Sequence, residues 1–229
     1  MKPSAKQLFF LFALVSLIEL AFIATQNNTL RLISKPLIIP LLMACYLTMQ
    51  QPRKPIMKDH ILQGLFFSWI GDILLQSDGL FIPGLLSFLI AHICYIIFFI
   101  RTNSNQHSFF KLRPIMLLAV MAYLVELMNI LWPYLGPMKV PVLLYGITIS
   151  VMLSAAMWQY QKLDNKTALF FILGATLFVI SDSLLALNRF REPFAMAGIS
   201  IMATYILAQL FIVMGAIKLQ VQEQSTTTA

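Results

Sequence analysis

Eight apolar runs follow one another along almost the whole chain, at residues 8–24, 32–49, 61–76, 81–100, 115–134, 140–158, 168–187 and 194–217. A helix needs roughly 20 apolar residues, with a range of about 17–25, to cross the hydrocarbon core of a bilayer. The runs cluster around that length, the third being the shortest. The breaks between them are of turn-forming kinds, such as Gln26-Asn27-Asn28, Ser77-Asp78-Gly79 and Leu135-Gly136-Pro137. Hydrophobic residues make up 59% of the 229 residues and charged ones 11%, against roughly 25% charged in soluble domains. A water-soluble core of this size cannot bury so much apolar surface. The expected fold is all-α: one integral membrane domain over 1–229, with about eight transmembrane helices and a disordered tail at 221–229. Lys2 and Lys6 precede the first run as in a signal peptide. No A-x-A site follows and Glu19 interrupts the run, so it reads as a retained first helix.

The net charge is +7. The basic residues fall between the apolar runs, which fits loops facing anionic lipid better than nucleic acid. With eight spans both termini share a side. That side collects eleven Lys and Arg residues, from Lys2 through Arg53, Arg101 and Lys162 to Lys218. The other side has five: Arg31, Lys35, Lys139, Arg189 and Arg191. The excess predicts cytoplasmic termini, in a bacterial inner membrane. Cys45 and Cys94 lie inside apolar runs without CxxC spacing and read as small buried hydrophobes. There is no G-x-S-x-G, H-E-x-x-H, Walker loop or Rossmann fingerprint.

The chain also echoes itself. A shift of 110 residues carries Gly64 onto Gly174, Asp72 onto Asp182, Pro83 onto Pro193 and Tyr95 onto Tyr205. The third and fourth runs thus resemble the seventh and eighth. Four spans separate them, so they cross in the same direction, the arrangement of two parallel four-helix repeats (1–110 and 111–220), with a site expected between the halves.

Ionisable groups in hydrocarbon are costly unless paired or hydrated and by default mark function. Glu19, Asp72, His92, Glu126 and Asp182 lie within or at the edge of the runs, and Lys35 opens the second. The four carboxyls fall roughly 16–21 Å along helices running outward, so six polar groups are expected to converge on one outward-facing cavity. Gly64, Ser68, Asp72 and Gln76 recur at i+4 and share a helix face, as do Tyr205 with Gln209 and Asp182 with Ala186. For Glu19 and Glu126, a structural ion pair or interfacial position reads as well as a functional role. His92 alone reads as a satisfied bundle histidine, and Arg189 and Arg191 as interfacial anchors. Asp72 and Asp182, mid-helix and repeat-related, are the stronger functional candidates.

These stretches resemble a known family. Ser34-Lys35-Pro36-Leu37, the segment from Gly64 to Asp72, and Phe88 with His92 and Tyr95 carry the first part of the likeness. Tyr145, Met152 and Ala156, the segment Ser181 to Ala186, Asn188-Arg189-Phe190, and Tyr205 with Ala208-Gln209 carry the rest. Their order and spacing are similar to those of the YhhN-type membrane proteins, which include the lysoplasmalogenases. The likeness extends from about Ser34 to Gly215, and excludes Glu19 and Glu126. It implies hydrolysis of the 1-alkenyl (vinyl ether) bond of a lysophospholipid of the lysoplasmalogen type. The products would be a fatty aldehyde and glycerophosphoethanolamine or glycerophosphocholine. It also implies a membrane-embedded aspartate pair, here Asp72 and Asp182.

The chemistry suits those residues. Vinyl ether cleavage begins with protonation of the β-carbon, giving an oxocarbenium ion that water captures. Glycosidases handle a similar cation with two carboxyls. Neighbouring buried carboxyls can divide the labour, one protonated and one ionised, although the sequence does not say which is which. His92, Tyr95, Tyr145, Asn188 and Tyr205 are candidates to orient water or the aspartates. Lys35 or Arg189 is a candidate for binding the lipid phosphate. The scheme requires no metal or other cofactor. Two rival readings share the same residues: a small cation- or proton-coupled transporter, and a non-catalytic lipid-binding scaffold.

Overall fold

The computed structural model describes residues 4–50, 59–102, 114–161 and 163–227. Eight α-helices account for nearly all of them: α1 Ala5–Ala24, α2 Asn28–Met49, α3 His60–Leu74, α4 Phe81–Arg101, α5 Pro114–Leu131, α6 Lys139–Trp158, α7 Asn165–Ala186 and α8 Ala197–Thr227. No strand occurs among the described residues. Seven of the helices are long and apolar enough to cross a membrane. The exception is α3, whose 15 residues reach only about 22 Å at 1.5 Å per residue. It is correspondingly enclosed: Ile61, Leu65, Ser68, Gly71 and Asp72 are all buried. α8 runs helical to Thr227, into the stretch expected to be disordered from 221. The peptide exterior is apolar, with Phe10, Leu17, Ile115, Leu118 and Val140 among the most exposed side chains. In water such a surface would drive aggregation; in lipid it is the natural outer face.

The helix ends follow local chemistry. Ser4 and Gln7 form a reciprocal capping box that starts α1. Asp59 caps α3 through the N–H groups of Ile61 and Leu62. Asp164 caps α7 through those of Lys166 and Thr167. The Thr167 hydroxyl donates to Asp164 (2.6 Å), Gln222 of α8 donates as well, and Lys218 pairs with it at 3.1 Å. These bonds hold the Asp164 carboxyl well below the usual carboxylate range, with the Thr167 hydroxyl as the first cause.

Helix α2 contains Pro36 and Pro40. Proline at 40 removes the N–H that would bond the carbonyl of residue 36. That carbonyl is not left bare, because Trp69 Nε1 of α3 donates to it at 2.8 Å. α2 is thereby tied to α3 one residue from Lys35.

Packing repeats itself along the chain. α1 lies against α2 and α5 against α6; α2 contacts α3 and α8, and α6 contacts α7 and α4. The most extensive interfaces are α3 on α4 and α7 on α8. Close approach at the first depends on glycine: a Cβ on Gly64 would come within 2.3 Å of the Tyr95 ring, and one on Gly71 within 2.6 Å of Phe88. The core is aromatic at its centre, where Phe88, Phe178 and Tyr205 meet edge to face.

Candidate active site

The fold brings Asp72 and Asp182 to one cavity of about 220 Å³ at the end of the bundle opposite the termini. Asp72 stands near the C-terminus of α3 and Asp182 near that of α7. Arg31 and Lys35 from the start of α2, Ser181 beside Asp182, and Tyr205 from α8 complete its polar lining. The site thus lies between the two halves of the chain.

The two carboxyls have different neighbours. Asp72, 2% exposed, accepts a 2.6 Å hydrogen bond from the Tyr205 hydroxyl at Oδ2. Its Oδ1 lies 3.4 Å from Lys35 Nζ. Asp182 accepts a 2.8 Å bond at Oδ2 from the Tyr145 hydroxyl of α6. His92 Nε2 of α4 stands 3.6 Å from the same oxygen. No Lys or Arg pairs with Asp182 among the described residues. His92 is fully buried, packed edge to face against Tyr145 and Phe178. Its nearest polar neighbours are the Phe88 carbonyl one turn back and the Asp182 carboxyl.

Glu19 is a structural partner. Fully buried, it accepts from Arg31 Nε (3.1 Å) and from Ser34 Oγ (2.5 Å), and so fixes the guanidinium at the cavity edge. Glu126 is exposed on the outside of α5 and does not join the cavity. Convergence therefore takes in five of the six groups, with Glu19 and His92 in the layer behind. Tyr95 is one layer removed as well: its hydroxyl donates to Gln209 Oε1 (2.7 Å), and Gln209 Nε2 donates to Ser68 (2.9 Å). This network locks α3, α4 and α8 together beneath Asp72.

Two further candidates belong to the rim. Asn188 accepts a long 3.4 Å bond from the backbone N–H of Phe194. Arg189 lies over the Phe81 ring at 5.1 Å. Both sit on the π-helical turn Leu187–Arg191 that ends α7, and neither lines the cavity. Arg31 is the cavity residue that sequence reasoning passes over. It counts there only as one of the five outer charges, although its i+4 spacing to Lys35 puts the two cations on one helix face. Among the described residues no three His, Cys, Asp or Glu side chains group as metal ligands do.

Comparison with known proteins gives the family. The YhhN family model matches residues 30–216. Lysoplasmalogenase TMEM86B of Homo sapiens is 32% identical over 161 residues, covering 69% of this chain and 64% of that protein. Lysoplasmalogenase TMEM86A of Homo sapiens is 32% identical over 174 residues, covering 69% and 65%. A lysoplasmalogenase of Mycobacterium bovis is 27% identical over 160 residues, covering 68% and 59%. The matches thus span slightly under two thirds of the length of these relatives. No solved structure matches the chain. With the family pattern covering most of the chain, including both aspartates, the protein belongs to the YhhN family.

Proposed function

We propose that the protein is a membrane-embedded lysoplasmalogenase that cleaves the vinyl ether bond of a 1-alkenyl lysophospholipid. The products are a fatty aldehyde and the glycerophospho headgroup. Asp182 acts as general acid and Asp72 as the ionised partner. The observation that carries the reading is the difference between two carboxyls lining one cavity: Asp72 faces Lys35, whereas Asp182 faces Tyr145 and His92. An adjacent ammonium favours the ionised carboxylate; a buried carboxyl without one favours the protonated acid. The relatives named lysoplasmalogenase supply the substrate class.

In this mechanism Tyr145 holds Oδ2 of Asp182, and the proton on Oδ1 passes to the β-carbon of the alkene. The alkene's π electrons form the new C–H bond, and positive charge develops on the α-carbon and ether oxygen. Asp72, held ionised by Lys35, stabilises that cation. Water adds to the α-carbon and returns its proton to Asp182, assisted by His92. The hemiacetal then loses its hydroxyl proton as the bond to the glycerol oxygen breaks and that oxygen is protonated. Aldehyde and alcohol leave, and both aspartates are restored. Arg31 and Lys35 bind the phosphate by charge-assisted hydrogen bonds. The chain is organised as halves 1–110 and 111–220, with both termini cytoplasmic and the cavity on the outer side.

The test is aldehyde release from a lysoplasmalogen by the purified protein in detergent, with the saturated 1-alkyl analogue as control. Release from the vinyl ether only, lost in Asp182→Asn, is the expected outcome. No aldehyde from folded, lipid-supplemented protein overturns the reading.

A further inference from the structure

A second, narrow pocket reaches Asp182 from another direction. Its walls are Phe81 and Leu85 of α4, Val142 of α6, Ala186 of α7, and Phe190 of the π-helical turn. Tyr145 and Asp182 are its only polar lining residues. Leu75, Phe88, Asp182 and Leu185 line both this slot and the polar cavity, so the two meet at the carboxyl of Asp182. The slot lies where α4, α6 and α7 come together. The neighbouring side chains Ile82, Leu86, Val140 and Leu144 are strongly exposed, so the slot lies close to the apolar exterior. Part of its wall is an aromatic pair, Phe81 and Phe190, in edge-to-face contact at 5.7 Å. Arg189 is stacked on the Phe81 ring at 5.1 Å. The π-helical turn rotates Phe190 into this position, and such turns recur at functional sites.

We infer that this slot, about 40 Å³ in volume, is the binding site for the first carbons of the single hydrocarbon chain of the lysolipid, held between α4, α6 and α7. The inference rests on the hydrolase reading for its substrate class but specifies a separate site. A lysophospholipid has one charged end and one apolar chain, joined at the glycerol. The molecule offers a cationic cavity under Arg31 and Lys35, an apolar slot, and a carboxyl where they join. Headgroup in the cavity and chain in the slot bring the first carbons of the chain past Asp182, where a proton is needed, and leave Asp72 on the glycerol side. Val142 and Ala186, small residues of the slot's wall, then set how wide a chain is admitted.

The experiment uses the full chain and a 1-O-alkyl lysophosphocholine carrying a diazirine within the first few carbons of its chain, which the proposed chemistry does not cleave. The expected result is crosslinking to the peptides around Phe81, Val142 and Phe190, displaced by excess unlabelled analogue. Ala186→Phe and Val142→Phe should each cut that labelling at least about tenfold, the scale set by a few methylene contacts in a hydrophobic pocket. Labelling spread over the exterior of α1 and α5 without displacement overturns the inference, as does specific labelling that neither folded variant reduces. Should both variants fail to fold, the map and displacement on the unaltered chain decide. Aldehyde release in the same preparation separates the two readings. Turnover without slot labelling removes the slot alone. Slot labelling without turnover removes the hydrolase and leaves a chain-binding site.

Discussion

Asp72 and Asp182 stand 110 positions apart on helices with corresponding neighbours, yet their surroundings differ by one charge. The residue that meets Asp72 from α2 is Lys35; the residue that meets Asp182 from α6 is Tyr145. Those two positions are also 110 apart. Positions 110 apart therefore hold an ammonium beside one carboxyl and a phenol beside the other. Changing one neighbour is enough to make the two carboxyls unequal. The backbone beside Lys35 is adapted too. Pro40 takes away the helical donor of the Pro36 carbonyl and Trp69 supplies another, whereas the positions 110 residues further on are Ser150 and Val179.

Replacing either carboxyl is the severest test of this comparison. Asp182→Asn and Asp72→Asn should each reduce turnover by about 10²–10⁴-fold, the usual worth of a general acid or its charged partner. Both variants should remain folded by thermal melt. Loss from one replacement alone would remove the other aspartate from the centre.

Removing the differing neighbours comes next. Lys35→Met strands a buried carboxylate and should cost about 3–5 kcal/mol, while Tyr145→Phe removes one hydrogen bond and should cost about 1 kcal/mol. Denaturation of the two variants side by side measures the gap; equal costs would mean that Asp72 does not depend on its cation. Trp69→Phe should cost about 1–3 kcal/mol, because the Pro36 carbonyl loses the donor that replaces its helical partner. Val179→Ala is the comparison in the other half, where no carbonyl awaits a donor.

The smallest effect is expected at the far end of the bundle. Asp164→Ala should cost about 1 kcal/mol as a lost helix cap. Because the folded carboxyl is held below its ordinary value, its contribution is complete above about pH 4. It is lost as the pH falls through the depressed value. Melting curves for the two proteins should therefore converge in acid.

Much of the fold was legible in the sequence. Apolar length alone marks seven of the eight helices to within a few residues, because lipid penalises any other backbone arrangement; α8 runs on past its apolar run to Thr227. α3 is the informative departure: its run is the shortest, and the chain encloses it among its neighbours. The aspartate pair was legible because charge is so rare in these runs. The supporting groups were less so. Glu126 and Glu19 look alike in one dimension, yet one is exposed on α5 and the other fully buried against Arg31 and Ser34. Tyr95 and Tyr205 are related by the 110-residue shift, but only Tyr205 reaches a carboxyl.

By itself, then, the sequence determined an all-helical membrane bundle, its helix order and the two carboxyls within it. These follow from the length and polarity of each segment, which are local properties. Only the tertiary structure decided which cation stands beside which carboxyl, that Arg31 joins the cavity, and that an apolar slot meets it at Asp182. Those facts depend on how helices distant in the chain are rotated against one another. That rotation is set by close contacts such as Gly64 on Tyr95 and Gly71 on Phe88, and no single segment carries it.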